Sequence, residues 1–191
     1  MKILTGICVI ILILTIAIIF NINGLKNIEY QHPEFLSGKR ILTVYFSNSG
    51  NTEKIAENIR SIVGGDIAQI KLQQEYPNNI FKMSKTVRLQ INQGVLPEIA
   101  DVDISNYDIV FVGSPVWAFS VSLPVKSFLK NSNFENKTIV PFFTCGAYAS
   151  KSRLIREIRA LASANDVKNP FVINAFSFLA KERVVKWLNE V

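Results

Sequence analysis

The sequence predicts an α/β domain with a doubly wound, five-stranded parallel sheet, preceded by one transmembrane helix. Three observations support this prediction. Beyond residue 39, five short β-branched or aromatic runs alternate with five segments of helical periodicity, an order typical of parallel sheets. The 191 residues are 49% hydrophobic and 19% charged, which suffices for one domain with a buried core. Residues 3–22 carry no charge, and twenty helical residues span roughly the 30 Å hydrocarbon core of a bilayer.

The uncharged run predicts an N-terminal transmembrane anchor, or uncleaved signal, over residues 1–22. A cleaved signal peptide is the alternative, but its apolar region is usually about 7–15 residues long and ends in small residues. Here the run is longer and continues into bulky side chains. Basic residues on both sides of it do not decide its orientation. We therefore expect a single-pass membrane protein with a polar linker over residues 23–38 and a folded domain over residues 39–191, on an undetermined side of the membrane.

The cysteine and histidine content excludes several kinds of chemistry. The two cysteines, Cys8 and Cys145, lie far apart, and His32 is the single histidine. They provide no CxxC motif, zinc-ligand cluster, Cys/His catalytic pair or disulfide framework, so we expect no bound metal. The net charge of +6 suits an anionic membrane surface, an acidic protein or nucleic acid. Because no motif interleaves the basic residues with aromatic ones, we expect no nucleic-acid partner.

The first βα unit begins with a strand of the buried type at residues 40–46. A helix follows from Thr52, because Ile55, Ile59 and their apolar neighbours recur at three- and four-residue spacing. The glycine pair at residues 64–65 ends this helix.

The remaining elements continue the alternation. Residues 66–72 alternate polar and apolar side chains, as in a strand near the sheet edge, and a weak helical pattern follows. The clearest strand, at residues 107–113, precedes a loop at residues 114–122. A helix follows, and Pro124 suits its first turn. The further predicted elements are the helix at 80–91, the strands at 107–113, 137–144 and 171–175, and the helices at 152–164 and 180–188.

Parallel sheets bind ligands beyond the carboxyl ends of their strands, so the loops after strands one, three and four form the candidate site. The first loop, residues 47–52, combines three hydroxyl side chains, one glycine and a helix N-terminus. Backbone N–H groups, the helix dipole and the hydroxyls of Ser47, Ser49 and Thr52 favour a phosphate there. The alternative is that these residues only cap the helix. Glu53 suits a helix start but would repel a dianion if it pointed inward.

Residue content excludes other phosphate-binding architectures. The chain has no G-x-x-x-x-G-K-[ST] loop and no G-x-G-x-x-G motif followed by an acidic residue. No acidic pair follows the first strand, which excludes a phospho-receiver domain. The remaining interpretation is a hydroxyl-lined loop suited to a terminal monophosphate.

Three segments, in order, resemble the flavodoxin family. Residues 44–59 contain the family's [ST]-x-[ST]-G-x-T phosphate loop and the aliphatic helix face that follows it. Residues 107–117 and 123–129 are similar to its third strand, flavin loop and third helix, and residues 137–144 to its next strand. The resemblance covers most of residues 40–190. It implies a flavodoxin-like sheet of strand order 2-1-3-4-5 and non-covalently bound FMN.

The resemblance also implies which residues contact FMN. The first loop would hold the phosphate, the second would line one side of the isoalloxazine ring, and the third would approach the ring from the other side. These residues are Ser47, Asn48, Ser49, Gly50, Asn51 and Thr52 in the first loop, Ser114, Pro115, Val116 and Trp117 in the second, and Cys145, Gly146 and Tyr148 in the third.

Two of these side chains have more than one interpretation. Trp117 ends a strand and is able to stack on a flavin ring, and the alternative is that it packs against Phe119 and the neighbouring helix. Cys145 has no second cysteine, histidine or local cationic cluster to make it a redox thiol. We therefore expect Cys145 to be a small loop residue whose backbone N–H contacts the flavin.

Two features depart from the family. Many flavodoxins are acidic, whereas this chain is basic and carries Lys151, Arg153, Arg156 and Arg159 on and beside the fourth helix. These cations would grip an anionic substrate, face lipid headgroups or form an ordinary solvated helix face. An N-terminal anchor is the second departure, and it suggests a redox partner at the membrane.

The combined prediction is an FMN-binding protein that carries electrons to or from a membrane-associated partner, either a protein or a quinone. One alternative is an FMN-dependent NAD(P)H:quinone or flavin oxidoreductase, and another is a flavin-less, membrane-tethered α/β binding module. No catalytic side chain is required, because the flavin carries the chemistry. The electron donor and acceptor, the reduction potential and the oligomeric state stay open.

Overall fold

The computed structural model describes residues 24, 28–77, 79–146, 148–164, 166–175, 177 and 179–191. The predicted anchor at residues 1–22 lies outside this part of the chain. Within the described residues, no helix combines the length and the apolar character needed to cross a bilayer.

One mixed sheet forms the centre of the domain, and its strands run in the order β2-β1-β3-β5-β6. All of its pairings are parallel except that of β4, which folds back on β3 as a hairpin. The seven strands of the described chain are β1 Ile41–Tyr45, β2 Asp66–Gln69, β3 Ile109–Trp117, β4 Ser120–Val121, β5 Thr138–Cys145, β6 Asp166–Val167 and β7 Phe171–Asn174.

The parallel α/β sheet is confirmed, but the predicted count of five strands is wrong. Both β6 and β7 pair with β5, β6 along its first residues and β7 along its last. Together they fill the fifth position of the predicted order 2-1-3-4-5. Pro170 lies between them and has no N–H to donate, so it interrupts the edge strand. Strands of two residues, such as β4 and β6, are too short to show a period in the sequence.

The five predicted helices are all present, with small differences at their ends. Asn79 caps one of them by accepting hydrogen bonds from the backbone N–H groups of Phe81 (3.0 Å) and Lys82 (3.2 Å). Pro124 lies in the first turn of another, where its missing N–H costs no hydrogen bond. The helices are α1 Asn51–Val63, α2 Ile80–Gln93, α3 Leu123–Asn131, α4 Lys151–Ala162 and α5 Ala180–Leu188, and a short 3-10 helix covers Glu34–Leu36.

The sheet separates two apolar layers. Alternate residues of β3 enter opposite layers, as the two-residue period of a strand requires. Val110 and Val112 pack with the buried faces of α2, α3 and α4, whereas Ile109 and Phe111 pack with those of α1 and α5. Helices therefore cover both faces, and only the strand ends and their loops remain open for a ligand.

Gly113 of β3 lies where its neighbours on β1 and β5 leave no room for a side chain. It pairs in register with Tyr45 of β1 and Phe142 of β5. A Cβ atom at this position would overlap the Phe142 ring and lie 2.9 Å from the Tyr45 Cβ atom. Glycine is therefore required here, just before β3 reaches the carboxyl edge of the sheet.

The segment predicted as a linker, residues 23–38, partly packs on the domain. Leu36 is buried in the layer that contains α1 and α5. The backbone N–H of Gln31 donates to Asn189 Oδ1 at 2.9 Å, and Asn189 Nδ2 donates to the Glu29 carbonyl oxygen at 2.8 Å. These contacts fasten the segment beside the end of α5.

The starts of β1 and β3 are joined by Arg40 and Asp108. The backbone N–H and Nε of Arg40 donate to Asp108 Oδ2 at 2.9 and 3.3 Å, and Nη2 lies 3.2 Å from Oδ1. The hydrogen bond from the Arg40 side chain is the main cause that lowers the pKa of Asp108 from 3.8 to about 2.

We expect this pair to make stability depend on pH in the acid range. Because folding lowers the pKa of Asp108, its contribution is complete above the unfolded pKa of 3.8 and is lost as the pH falls towards about 2. The free energy of unfolding, measured with urea at a series of pH values, should fall less steeply between about pH 4 and 2 in Asp108→Asn than in the unmodified chain. Parallel curves for the two chains would contradict this assignment.

Candidate functional site

The candidate site lies at the carboxyl edge of the sheet, where the loops after β1, β3 and β5 emerge side by side. The register places Tyr45 beside Gly113, and Pro115 beside Thr144, so the three strands end next to one another. Three loops that are distant in sequence are thereby brought to one crevice, the usual ligand position of such sheets.

The first loop leads into an uncapped helix N-terminus. Gly50 has a left-handed backbone with φ of 79° and supplies no side-chain hydrogen bond to α1. A Cβ atom here would meet only Glu53 Oε2, at 3.9 Å, so the backbone conformation rather than space favours glycine. The first-turn N–H groups of α1 therefore have no capping side chain, and they and the helix dipole suit an anion.

Ser47 opens the loop and has an unsatisfied hydroxyl. Its Oγ atom is buried and has no hydrogen-bond partner among the described residues. Leaving a buried hydroxyl unpaired costs roughly 1–3 kcal/mol. Within the same part of the chain one other side-chain atom shares this state, Thr43 Oγ1, in the middle of β1. An anion held by the first loop would supply the partner that Ser47 lacks.

The other first-loop residues divide into exposed and buried ones. Asn48 and Ser49 are exposed, and Asn51 Nδ2 donates to Ser49 Oγ at 3.2 Å. Thr52 is 1% exposed, and its Oγ1 lies 2.8 Å from Thr144 Oγ1 at the end of β5. Thr52 thus joins the first loop to the end of β5. The sequence pattern did not predict this contact, because Thr52 and Thr144 are far apart along the chain.

Glu53 is held by Tyr45. The Tyr45 hydroxyl donates to Glu53 Oε1 at 2.9 Å. Burial, and then the hydrogen bond and charge of Glu53, raise the pKa of Tyr45 to about 12, so the phenol keeps its proton. The carboxylate is therefore fixed beside the first turn of α1, where its charge complements the helix dipole.

The second loop differs from its prediction because β3 continues through Trp117 and returns as β4. Val116 pairs with Val121, and Trp117 pairs with Ser120. At the base of this hairpin the buried Ser114 Oγ accepts the backbone N–H of Ser122 at 3.0 Å and lies 3.0 Å from its hydroxyl. The predicted loop at residues 114–122 is therefore an ordered β-hairpin, with Pro115 in its ascending strand.

Trp117 packs partly against the domain, but not against Phe119. Its indole makes edge-to-face contacts with Phe46 and Tyr76, each with ring centroids 5.5 Å apart. Phe119, the partner named in the packing alternative, is instead 65% exposed. Trp117 is half-buried, and stacking of its remaining surface on a flavin stays a prediction. Tyr76 also belongs to this site region, although no sequence motif points to it.

The third loop follows Cys145. The Cys145 thiol is buried and donates to the Ile173 carbonyl oxygen at 3.7 Å, so its side chain is directed at β7. Gly146 and Tyr148 are exposed. This arrangement is compatible with a structural thiol, and it leaves Gly146 and Tyr148 as the accessible residues of the loop.

The basic residues of α4 are partly used within the domain. Arg153 Nε pairs with Glu157 Oε1 at 3.2 Å, and Arg159 Nη2 donates to the Val167 carbonyl oxygen at 3.3 Å. Arg156 and Lys151 are exposed. Among the residues that the structure describes, no group of three His, Cys, Asp or Glu side chains is arranged to hold a metal ion.

A family model described as Flavodoxin matches residues 40–191. The chain belongs to the flavodoxin family. No curated protein matches the sequence.

Three solved structures have a fold similar to that of this chain. A candidate flavoprotein from Bacteroides eggerthii DSM 20697 is 24% identical, with a TM-score of 0.70 over 81% of this chain and 98% of that one. A flavoprotein from Lactobacillus acidophilus NCFM, determined in complex with FMN, is 26% identical, with a TM-score of 0.55 over 72% and 91%. Oxidised flavodoxin 2 from Bacillus cereus is 18% identical, with a TM-score of 0.50 over 78% and 95%.

The contact between Thr52 and Thr144 gives a stability prediction for this flavodoxin-family domain. Replacing either residue by valine keeps the shape but leaves the other hydroxyl buried without this partner, so each single variant should lose about 1–3 kcal/mol of unfolding free energy. The double variant should lose less unfolding free energy than the two single variants together, because it leaves no buried hydroxyl without its partner. Urea denaturation measures all three, and the exposed Ser61→Ala is a control expected within about 0.5 kcal/mol of the unmodified chain. Strict additivity would show that the two hydroxyls are not coupled.

Proposed function

We propose that the chain binds FMN non-covalently at the carboxyl edge of the sheet and exchanges electrons with a membrane-associated redox partner, either a protein or a quinone. Membership of the flavodoxin family supports the cofactor. So does the similarity to the Lactobacillus acidophilus flavoprotein determined with FMN.

The buried, unpaired Ser47 hydroxyl beside the uncapped start of α1 is the observation that carries this proposal. A phosphate monoester matches both features, because it accepts hydrogen bonds from a hydroxyl and from backbone N–H groups at once. A neutral ligand would use the hydroxyl but would gain little from the helix dipole.

The residues of the chain have separate roles in this proposal. Bound FMN supplies the one- and two-electron chemistry. Ser47, the exposed Ser49 hydroxyl and the first N–H groups of α1 bind the phosphate, and the Thr52–Thr144 contact keeps the first loop against β5. Pro115, Val116 and Trp117 of the hairpin line one side of the ring, and the buried Ser114 holds the base of the hairpin. Gly146 and Tyr148, together with the backbone of the preceding Cys145, line the other.

The membrane part of the proposal depends on the uncharged run at residues 3–22. A helix of that length matches the bilayer core. A tethered domain meets its electron partner at the membrane surface rather than by free diffusion.

An FMN-dependent oxidoreductase is the second candidate. The exposed cations Lys151 and Arg156 on α4, next to the third loop, favour it, because they would attract the phosphates of NAD(P)H to this edge. The two functions differ in a simple assay, since only the oxidoreductase oxidises NAD(P)H without another protein.

The first prediction from this proposal concerns FMN binding by the purified full-length chain. Titration should give stoichiometric absorption bands near about 375 and 450 nm, as expected for a bound flavin. Ser47→Ala should weaken FMN binding by about 1–3 kcal/mol, because it removes a hydrogen bond to a charged group. The same variant should not lower the stability of the apoprotein, since it also removes an unpaired buried hydroxyl.

Thr43→Val is the matched control, because Thr43 carries the other buried hydroxyl without a partner in the described chain but lies within β1. It should leave FMN affinity unchanged. A colourless protein without FMN affinity would refute the proposed cofactor and leave the fold intact. NAD(P)H oxidation measured on the same sample separates the carrier from the oxidoreductase.

The second prediction concerns the membrane. The full chain should remain in the membrane fraction after extraction at alkaline pH, which removes peripheral proteins but not spanning helices. A variant without residues 1–22 should appear in the supernatant. Complete extraction of the full chain would refute the tether without affecting the FMN proposal.

A further inference from the structure

The hairpin formed by β3 and β4 depends on support from the rest of the domain. β4 has only two residues, Ser120 and Val121, and an isolated two-stranded ribbon of this size is marginal in water. Its turn residues, Ala118 and Phe119, both have a left-handed backbone, with φ of 48° and 60°. Such turns favour glycine or asparagine, so these residues oppose the hairpin rather than stabilise it.

Glu157 of α4 supplies the missing support. Its Oε2 atom accepts the Ser120 hydroxyl at 2.6 Å and the Val121 backbone N–H at 3.2 Å. Both residues of β4 are therefore bound to one carboxylate. Short hydrogen bonds to a charged acceptor are stronger than neutral ones, which makes this contact suited to holding a strained turn.

Two cations in turn orient Glu157. Lys126 Nζ on α3 lies 3.3 Å from Oε2, and Arg153 Nε lies 3.2 Å from Oε1. The carboxylate is about one-fifth exposed. Burial alone would raise the pKa of Glu157, but the Ser120 hydrogen bond and the charge of Lys126 outweigh it and lower the pKa. Glu157 therefore stays ionised and keeps its acceptor capacity at neutral pH.

The register links Glu157 to the candidate flavin contacts. Ser120 pairs with Trp117, and Val121 pairs with Val116. The two residues that Glu157 holds are thus the direct partners of two of the hairpin residues predicted to line the ring.

We propose that Glu157 is a positioning residue for FMN: it holds β4, and through β4 it fixes Val116 and Trp117 at the flavin edge. This inference rests on the proposed function. Flavin affinity should therefore depend on Glu157, a residue of α4 that lies outside the first loop.

Glutamine and alanine replacements of Glu157 test the proposal in the full-length chain. Glu157→Ala should raise the FMN dissociation constant by about tenfold or more, as expected for losing hydrogen bonds to a charged group. Glu157→Gln keeps an acceptor for Ser120 and Val121 and should stay within about threefold of the unmodified chain. If Glu157→Ala fails to fold, Ser120→Ala, which removes the 2.6 Å bond from the other side, should still weaken FMN binding.

Two control variants separate positioning from general stability. Ser61→Ala changes an exposed side chain near the end of α1 and should leave FMN affinity unchanged. Asp108→Ala destabilises the domain at the opposite edge of the sheet and should also leave FMN affinity unchanged once unfolding is accounted for. An equal loss of FMN affinity in Asp108→Ala and Glu157→Ala would overturn the proposal. Equal FMN dissociation constants for Glu157→Gln and Glu157→Ala would overturn it as well.

The indole N–H resonances of Trp117 and Trp187 give a readout that does not need the cofactor. In the apoprotein, Glu157→Ala should shift the Trp117 resonance and leave that of Trp187 on α5 in place. If the unmodified chain binds no FMN, the proposed function fails, and the Trp117 resonance alone decides whether Glu157 positions the hairpin. An unshifted Trp117 resonance would refute the inference in either case.

Discussion

The packing of Tyr45 and Phe142 across Gly113 is the constraint on which the candidate site depends. Because β3 carries no side chain at this level, the Phe142 ring lies against its backbone, and the Tyr45 Cβ atom lies on the other side. At the same end of the sheet, the hydroxyl of Thr52 in the first turn of α1 meets that of Thr144 near the end of β5. Contacts within the sheet thus fix where the loops lie, and the loops supply the groups that would contact a ligand.

Much of the fold was predictable because it depends on periodic patterns. All five helices follow three- and four-residue spacing, and the longer strands follow runs of buried residues. The exceptions are short or irregular. β4 and β6 contain two residues each, and β6 is separated from β7 by Pro170, so no period marks them. The hairpin was also hidden because its turn, at Ala118 and Phe119, uses residue types that do not indicate a turn.

The site was predictable to the extent that its chemistry is local. The serine, glycine and helix start of the first loop are adjacent in sequence, and the pattern was enough to indicate a phosphate. Contacts between distant segments were not predictable. Thr52 meets Thr144, Trp117 meets Phe46 and Tyr76, and Glu157 meets β4, and no single-sequence pattern connects such residues. Arg153 was visible in the sequence only as one of the basic residues of a helix, and its pairing with Glu157 was not predicted.

The hydrogen bonds of Glu29 and Gln31 with Asn189 fix the path of the segment that precedes β1. The 3-10 helix that ends at Leu36 is followed by β1 at Ile41, so this part of the segment lies at the end of the sheet where the strands begin. The ligand loops lie at the other end of the strands, where Gly24 and Ile28, at the start of the described segment, line a cavity together with Lys151 and Ile173. In a tethered protein, a cofactor in those loops would therefore lie on the side of the attachment, within reach of a partner at the membrane surface.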